Sequence, residues 1–499
     1  MTKPAQLTYK PLGIDTLQEH VVFMHRDCHV CKSEGLEAQT RVELRHGSRS
    51  VMAIVNVVYT DLLSSTEIGL SLNAERSLGV TQNDAIEVMQ APPIASLSQL
   101  RTKIYGHRLD RHGFEAIVSD VAKGRYSNIH IAAFLTAMAG RRAHVQEVTD
   151  LTAAMVAIGD QLSWATSPVA DKHCVGGLPG NRTTPIVVAI VASAGLIMPK
   201  TSSRAITSPA GTADVMEVLT PVTLGLDAMR AVVDKEGGCF VWGGSLALSP
   251  ADDLLIRVAR PLELDSDAQL VASVLSKKIA AGSTHTVIDI PVGPTAKIRS
   301  KEQADHLEHL LNQVAFANGL NLKVLRSDGR APVGQGIGPA LEARDVLAVL
   351  QNAPNAPVDL RDHAIALAAE VLELCKQVEP GQGKLLATKI LDSGRAWDKF
   401  LGICQAQGGF TPPTLAPLQS VVTATQSGQL KEFDNRRLAR LAKLLGAPDA
   451  KTAGLDLHVK LGSSIERGDA LFTLHAEAQG ELDYACRYLD SHPPLLIEA

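Results

Sequence analysis

Several features that would quickly place this 499-residue sequence are missing from it. There is no basic excess: 48 lysines and arginines against 53 aspartates and glutamates leave a net charge of −5, so nothing suggests a nucleic-acid partner. The seven cysteines are odd in number and scattered, which argues for a reducing compartment rather than a disulfide framework. The most apolar stretch, residues 186–198, contains Ser193 and Gly195 and is too short to span a bilayer, so no membrane partner is expected. No basic segment followed by an apolar core opens the chain. The expectation is a cytoplasmic protein without a signal peptide. The glycine-rich loops match neither G-x-x-x-x-G-K-[ST] nor a clean G-x-G-x-x-G, which leaves P-loop and dinucleotide readings unsupported. No convincing nucleophile triad, tandem repeat or low-complexity tail is found.

What is present is ample core, with 45% apolar and 20% charged residues, and a length that suits about three domains. The chain is organised around residues 171–214, where two small-residue loops flank one apolar run. Gly176, Gly177 and Gly180 in the first loop let bare N–H groups approach a ligand closely, and Lys172 adds a positive charge. The run at 184–196 is long enough for three helical turns, with Pro185 at a tolerated first-turn position. A glycine loop that opens a helix presents unpaired N–H donors and a positive dipole end, which suits an anion. The second loop gathers Thr201, Ser202, Ser203, Thr207, Ser208 and Thr212 around Arg204. From residue type alone the two loops read either as ordinary strand-to-helix connections or as a phosphate cradle.

On either side the pattern changes. Residues 21–24, 41–44 and 50–58 are β-branched and bounded by turn formers, so residues 1–92 read as an N-terminal β domain ending at Pro92-Pro93. His25, Cys28, His29 and Cys31 cluster there, but no second pair lies at finger-like spacing; a polar loop is preferred and no metal is expected. Residues 93–165 read as an all-helical domain, with His130 as a packed residue rather than a catalyst. Residues 166–408 alternate short strands, such as 239–242 and 286–292, with helices, as in a mixed, largely parallel α/β domain. Within it Ser266 and Gln269 form a capping box for a helix ending near 281, which places Ser273 and Lys277 on one face. The segment about 260–282 is assigned to the helical domain. RSDGRAPVGQGIGPAL reads as sheet-to-helix packing rather than substrate contact. Gly408-Gly409 and Pro412-Pro413 mark the start of a C-terminal α/β domain at 409–499.

DKHCVGGLPGN followed by KTSSRAITSPAGTADVMEVL resembles the signature of the thymidine phosphorylase family, most closely its AMP phosphorylase branch. GRYSNIHIAAFLTAM and LTAAMVAIGDQLSW resemble that family's helical domain. The resemblance covers most of 96–499, while 1–90 resembles the branch's extra N-terminal domain through weaker motifs. It implies a pentosyltransferase that cleaves an N-glycosidic bond with inorganic phosphate as co-substrate. It also implies no cofactor, an assembly of at least two subunits, and helical and α/β domains that close over substrate. Carried over residue by residue, Lys172, Ser202 and Thr212 hold phosphate. Gly177 and the run Ser203, Arg204, Ala205, Ile206, Thr207, Ser208 form substrate-binding loops. Asp265 is the proton donor, Ser273 and Lys297 contact substrate, and Lys277 contacts the base. By residue type alone Asp265 reads more readily as a helix cap, and Lys297 as a solvated loop lysine. Arg204 suits a phosphate through its planar fork.

Three departures bear on substrate. Cys174 stands where the nucleoside phosphorylases have a serine, and a thiol is the weaker donor. SRAITSPAGT replaces a loop containing glycine and histidine. In DIPVGPTAKI a strand lysine gives way to Pro291, and Lys297 appears beyond it. A cation near the sugar suits a 5′-phosphate, so the expected substrate is a nucleoside 5′-monophosphate, with thymidine second. Two rivals remain: a phosphoribosyltransferase, as in anthranilate phosphoribosyltransferase, using magnesium at Asp252-Asp253, and a non-catalytic nucleotide-binding protein. Which base is taken is not legible.

Overall fold

The computed structural model describes residues 5–16, 19–140, 143–205, 208–246, 248–264 and 266–498. The chain divides into two compact units, residues 1–102 with 119–133 and residues 103–118 with 134–499.

The first unit is built on a closed barrel in the order Ala5–Tyr9, Glu67–Leu70, Val21–His25, Arg49–Val58, Arg41–His46, Ala85–Gln90. Alternate residues such as Val22, Met24, Val42, Leu44, Ile86 and Val88 are buried, as period-two side chains on a curved sheet must be. Closure leaves no edge strand exposed. The three expected strands are present; the other three are short and carry weaker apolar runs. Cys28 caps the short helix His29–Glu34, and Cys28 and Cys31 are buried against the barrel core. A hydrogen bond from Cys31 lowers the Cys28 thiol, while that of Cys31 is raised. His25 Nδ1 accepts from the Asp27 N–H at 3.1 Å. Among the described residues, no group of three or more His, Cys, Asp or Glu is placed to hold a metal ion.

The second unit holds the parallel strands Asn321–Asp328, His285–Val292 and Ala170–Cys174, side by side in that order. A bridge from Val169 to Ile197 links them to the parallel pair Met198–Ser202 and Gly238–Trp242. Helix Thr183–Ser193 is buried from Thr183 through Ala192, which explains why its apolar residues run all round instead of along one stripe. Ser266 Oγ accepts from the Gln269 N–H, as its spacing predicted, and helix Asp267–Ala280 packs on Val145–Ile158. No helix among the described residues is long and apolar enough to cross a membrane.

The outer strand Gly238–Trp242 is closed off by a side chain. Gln407, buried at the end of helix Arg395–Ala406, accepts from the Phe240 N–H at 2.6 Å and donates to Phe240 O at 3.0 Å and Pro221 O at 2.7 Å. Gln407→Leu keeps the bulk but strands these groups. It should destabilise the fold by about 1–3 kcal/mol, read as a lower denaturant midpoint with an unchanged slope. An unchanged midpoint would mean that other groups satisfy the strand.

Antiparallel sheets finish the chain. One comprises Gly336–Ile337, Gly454–Leu457, Ala470–Ala476 and Leu418–Thr423; the other comprises Ser464–Ile465, Gly428–Phe433 and Leu495–Glu498. Helices Asn435–Leu444 and Gln479–Ser491 accompany them. The second glycine segment leads into helix Pro339–Leu350 and is held by backbone bonds. Val333 O takes the Asn181 N–H at 2.8 Å, and Gly336–Ile337 pairs with Gly454–Leu457.

Candidate active site

The first loop joins strand Ala170–Cys174 to helix Thr183–Ser193. Lys172 is 1% exposed, and its Nζ donates to Thr183 Oγ1 at 2.6 Å. Burial lowers the ammonium's pKa, with the Asp289 carboxylate pulling the other way. An ammonium can only donate, so Thr183 accepts and keeps its own proton for another acceptor. Sequence reading did not single out Thr183. The available signal was a hydroxyl on the first residue of a helix opened by a glycine loop.

Asp289 lies opposite Cys174 in the sheet and accepts from Ser327 Oγ at 2.6 Å, with His363 Nε2 at 3.0 Å and Asn181 Nδ2 at 3.4 Å. Burial pushes its carboxyl up, but His363 and the Lys172 charge outweigh this and hold it down to about 2. Cys174 Sγ accepts from the Gly176 N–H and Asn181 Nδ2, each at 3.5 Å. Burial pushes its thiol up to about 12, so it stays protonated. Gly177 has φ +85°, and a Cβ there would lie 2.3 Å from Lys297 N and 2.6 Å from Lys297 Cβ. The half-buried Lys297 therefore rests directly on the glycine loop.

In the second loop Ser202 ends strand Met198–Ser202, and Thr212 opens helix Thr212–Leu219. Thr212 Oγ1 accepts from Arg182 Nη1 at 2.8 Å, so it too keeps its proton. Ser208 differs, because its hydroxyl donates to Ala210 O at 3.0 Å. Ser203 is exposed, and the Ala205 N–H donates to Asp214 Oδ2 at 2.7 Å.

The Arg204 guanidinium donates to both Glu217 oxygens at 2.7 and 2.6 Å and to Asp214 at 3.3 Å, and it lies 4.8 Å over the Trp242 ring. Ile206, Thr207 and Asp265 lie outside the described residues.

A third cluster joins residues far apart in sequence. Asp252 Oδ2 accepts from Ser273 Oγ at 2.8 Å and Lys277 Nζ at 2.5 Å, so Ser273 and Lys277 do share one face and one partner. The first member of the acidic pair Asp252-Asp253 is thereby tied to helix Asp267–Ala280. Beneath the loops, Asp171 bridges Lys278 at 2.7 Å and Lys200 at 3.1 Å. Burial raises this carboxyl, but the two lysines outweigh it and hold it low. The half-buried His173 imidazole is driven well below its ordinary pKa, by desolvation first and then by Lys278, Lys200, Lys172 and Lys277. Four lysines thus bear on the region around His173. The two proton-bearing threonines open the helices that follow linked parallel strands, beyond whose C-terminal ends α/β folds bind ligands. The arrangement can hold an anion and orient its oxygens.

Residues 98–159 match the glycosyl transferase family, helical bundle domain; residues 166–397 match its a/b domain. Residues 429–492 match the pyrimidine nucleoside phosphorylase C-terminal domain. A protein of Ralstonia nicotianae named "Putative thymidine phosphorylase" is 56% identical over 494 residues, covering 99% of this chain and 97% of the relative. "Putative thymidine phosphorylase 1" of Cupriavidus necator is 56% identical over 492 residues, covering 99% and 95%. Among solved structures, anthranilate phosphoribosyltransferase from Thermus thermophilus shares the fold, with a TM-score of 0.52 and 18% identity over 62% of this chain and 99% of that one. The chain is therefore a pentosyltransferase belonging to the thymidine phosphorylase family.

Proposed function

We propose that the protein cleaves a nucleoside 5′-monophosphate with inorganic phosphate, releasing the free base and ribose 1,5-bisphosphate. One observation carries the phosphate half of this reading: Thr183 and Thr212 each accept a hydrogen bond from a cation and have only a proton left to offer an anion. Phosphate held there is neutralised by Lys172, while an oxygen remains to attack C1′. As that bond forms, the N-glycosidic bond breaks and its electron pair passes to the base. In this reading the base gains a proton from Asp265 and is contacted by Lys277, while Ser273 contacts the substrate. The backbone of Lys297 is seated against Gly177, and in this reading its ammonium serves a second phosphate on the sugar. The same reading includes a homodimer or larger assembly in solution. Thymidine is the second substrate reading, favoured by the printed names of the relatives.

Free-base release from thymidine, uridine, AMP, CMP and UMP, each with and without inorganic phosphate, separates the two. Monophosphates should react only when phosphate is present. Lys297→Ala should lower kcat/KM for them about tenfold or more, as expected for a lost charge-assisted contact, and spare any nucleoside activity. Turnover of thymidine alone would replace the monophosphate reading. Silence across the panel would leave a nucleotide-binding protein without turnover.

A further inference from the structure

One side chain joins the two loops of the anion site, although neither its position nor its type drew attention to it. Arg182 immediately precedes helix Thr183–Ser193, and its guanidinium reaches two other segments. Nη1 donates to Thr212 Oγ1 at 2.8 Å, Nη2 to Ala210 O at 2.9 Å, and Nε to Glu342 Oε2 at 2.8 Å. Glu342 is 1% exposed and accepts the Gly338 N–H through its other oxygen at 3.1 Å, so it is fixed from both ends. Arg182 is itself nearly enclosed, its side chain 12% exposed.

We propose that Arg182 is a positioning residue for the phosphate co-substrate: it sets the spacing of the two loops and fixes the Thr212 hydroxyl as a donor. This rests on the phosphorolysis reading above. A guanidinium has five donors and no acceptor, so Thr212 must accept from it, and the threonine's only proton points elsewhere. Ser208 shows the alternative in the same loop, since its proton goes to a backbone carbonyl. The planar fork matters as much as the charge. It spans a hydroxyl, a carbonyl and a carboxylate from separate segments, which a single ammonium cannot do. Glu342 accepts from the guanidinium and holds its plane, so in this proposal Arg182 acts through Thr212 and is not itself a phosphate ligand.

Calorimetric titration of inorganic phosphate into the full-length protein tests this, alongside KM for phosphate and for the organic substrate that the panel identifies. The proteins compared are wild type, R182M, R182K, T212V and the R182M/T212V double variant. Phosphate affinity should fall about tenfold in R182M, R182K and T212V, the loss expected when one oriented hydrogen bond is removed. The double variant should bind phosphate no more weakly than the weaker single variant, and KM for the organic substrate should stay within about twofold. R182K keeps charge and bulk, so it carries the test if R182M does not fold. Wild-type affinity in R182K would overturn the proposal, as would losses that multiply in the double variant or equal shifts in both KM values. If wild type binds no phosphate and releases no base, the phosphorolysis reading falls and takes this one with it. Phosphate binding that ignores Arg182 sinks this one alone.

Discussion

Lys172→Met should lower kcat/KM for phosphate by about 10³-fold while leaving the melting temperature unchanged or raised. The two effects have opposite signs for one physical reason. The ammonium is buried at 1% exposure, where desolvation already weighs against its charged form. Replacing it with an apolar chain of similar length removes that cost, and Asp289 keeps His363 and Ser327 as partners. Under the proposed function anion binding has no such substitute, because the same ammonium would neutralise phosphate and holds Thr183 as an acceptor. Loss of activity with an intact melt would mark stability given up for function. A change of only a few fold would mean that phosphate is bound elsewhere.

Gly177→Ala should be the next most damaging change. Its Cβ would lie 2.3 Å from a backbone nitrogen of Lys297, and no rotamer of a neighbouring side chain can relieve that. The positive φ adds about 1–2 kcal/mol of strain on its own. Gly176→Ala separates these contributions, because Gly176 has φ +88° but nothing within 4 Å of the added carbon. Thermal melts should therefore show a loss of about 1–2 kcal/mol for Gly176→Ala and a larger one for Gly177→Ala. Base release should fall more than tenfold for Gly177→Ala, since an ångström of displacement at a positioning loop is enough. Equal behaviour of the two variants would separate the Lys297 contact from activity.

The alternation of strands and helices, the glycine loop and the Ser266 cap could all be read from sequence, because each rests on local chemistry: periodicity, turn residues and a hydroxyl at a helix start. The shared face of Ser273 and Lys277 followed from their spacing of four, but their common partner Asp252 did not, since it is 21 residues away from Ser273 and reaches it only through packing. The partners of Arg204 were hidden for a related reason. Residue type identified a fork able to grip an anion, and only the fold brings Glu217 and Asp214 to it. Lys200 and Lys278 were passed over because lysines are rarely buried, and only the fold brings both to Asp171. Three barrel strands were missed because short strands in a closed sheet gain their stability from neighbours rather than from their own composition.

The pairing of Gly336–Ile337 with Gly454–Leu457 bears on how this architecture can be divided. Val333, three residues before that pairing, is the residue whose carbonyl holds Asn181 in the first loop. The tail from 409 onward thus supplies the strand that pairs with Gly336–Ile337, the end strand of that sheet, just beyond the carbonyl that holds the glycine turn. Exchanging that tail between relatives would transplant a tight backbone fit as well as a surface. Changes far out on Gly454–Leu457 therefore have a short mechanical route to the anion site, two strands and one loop long.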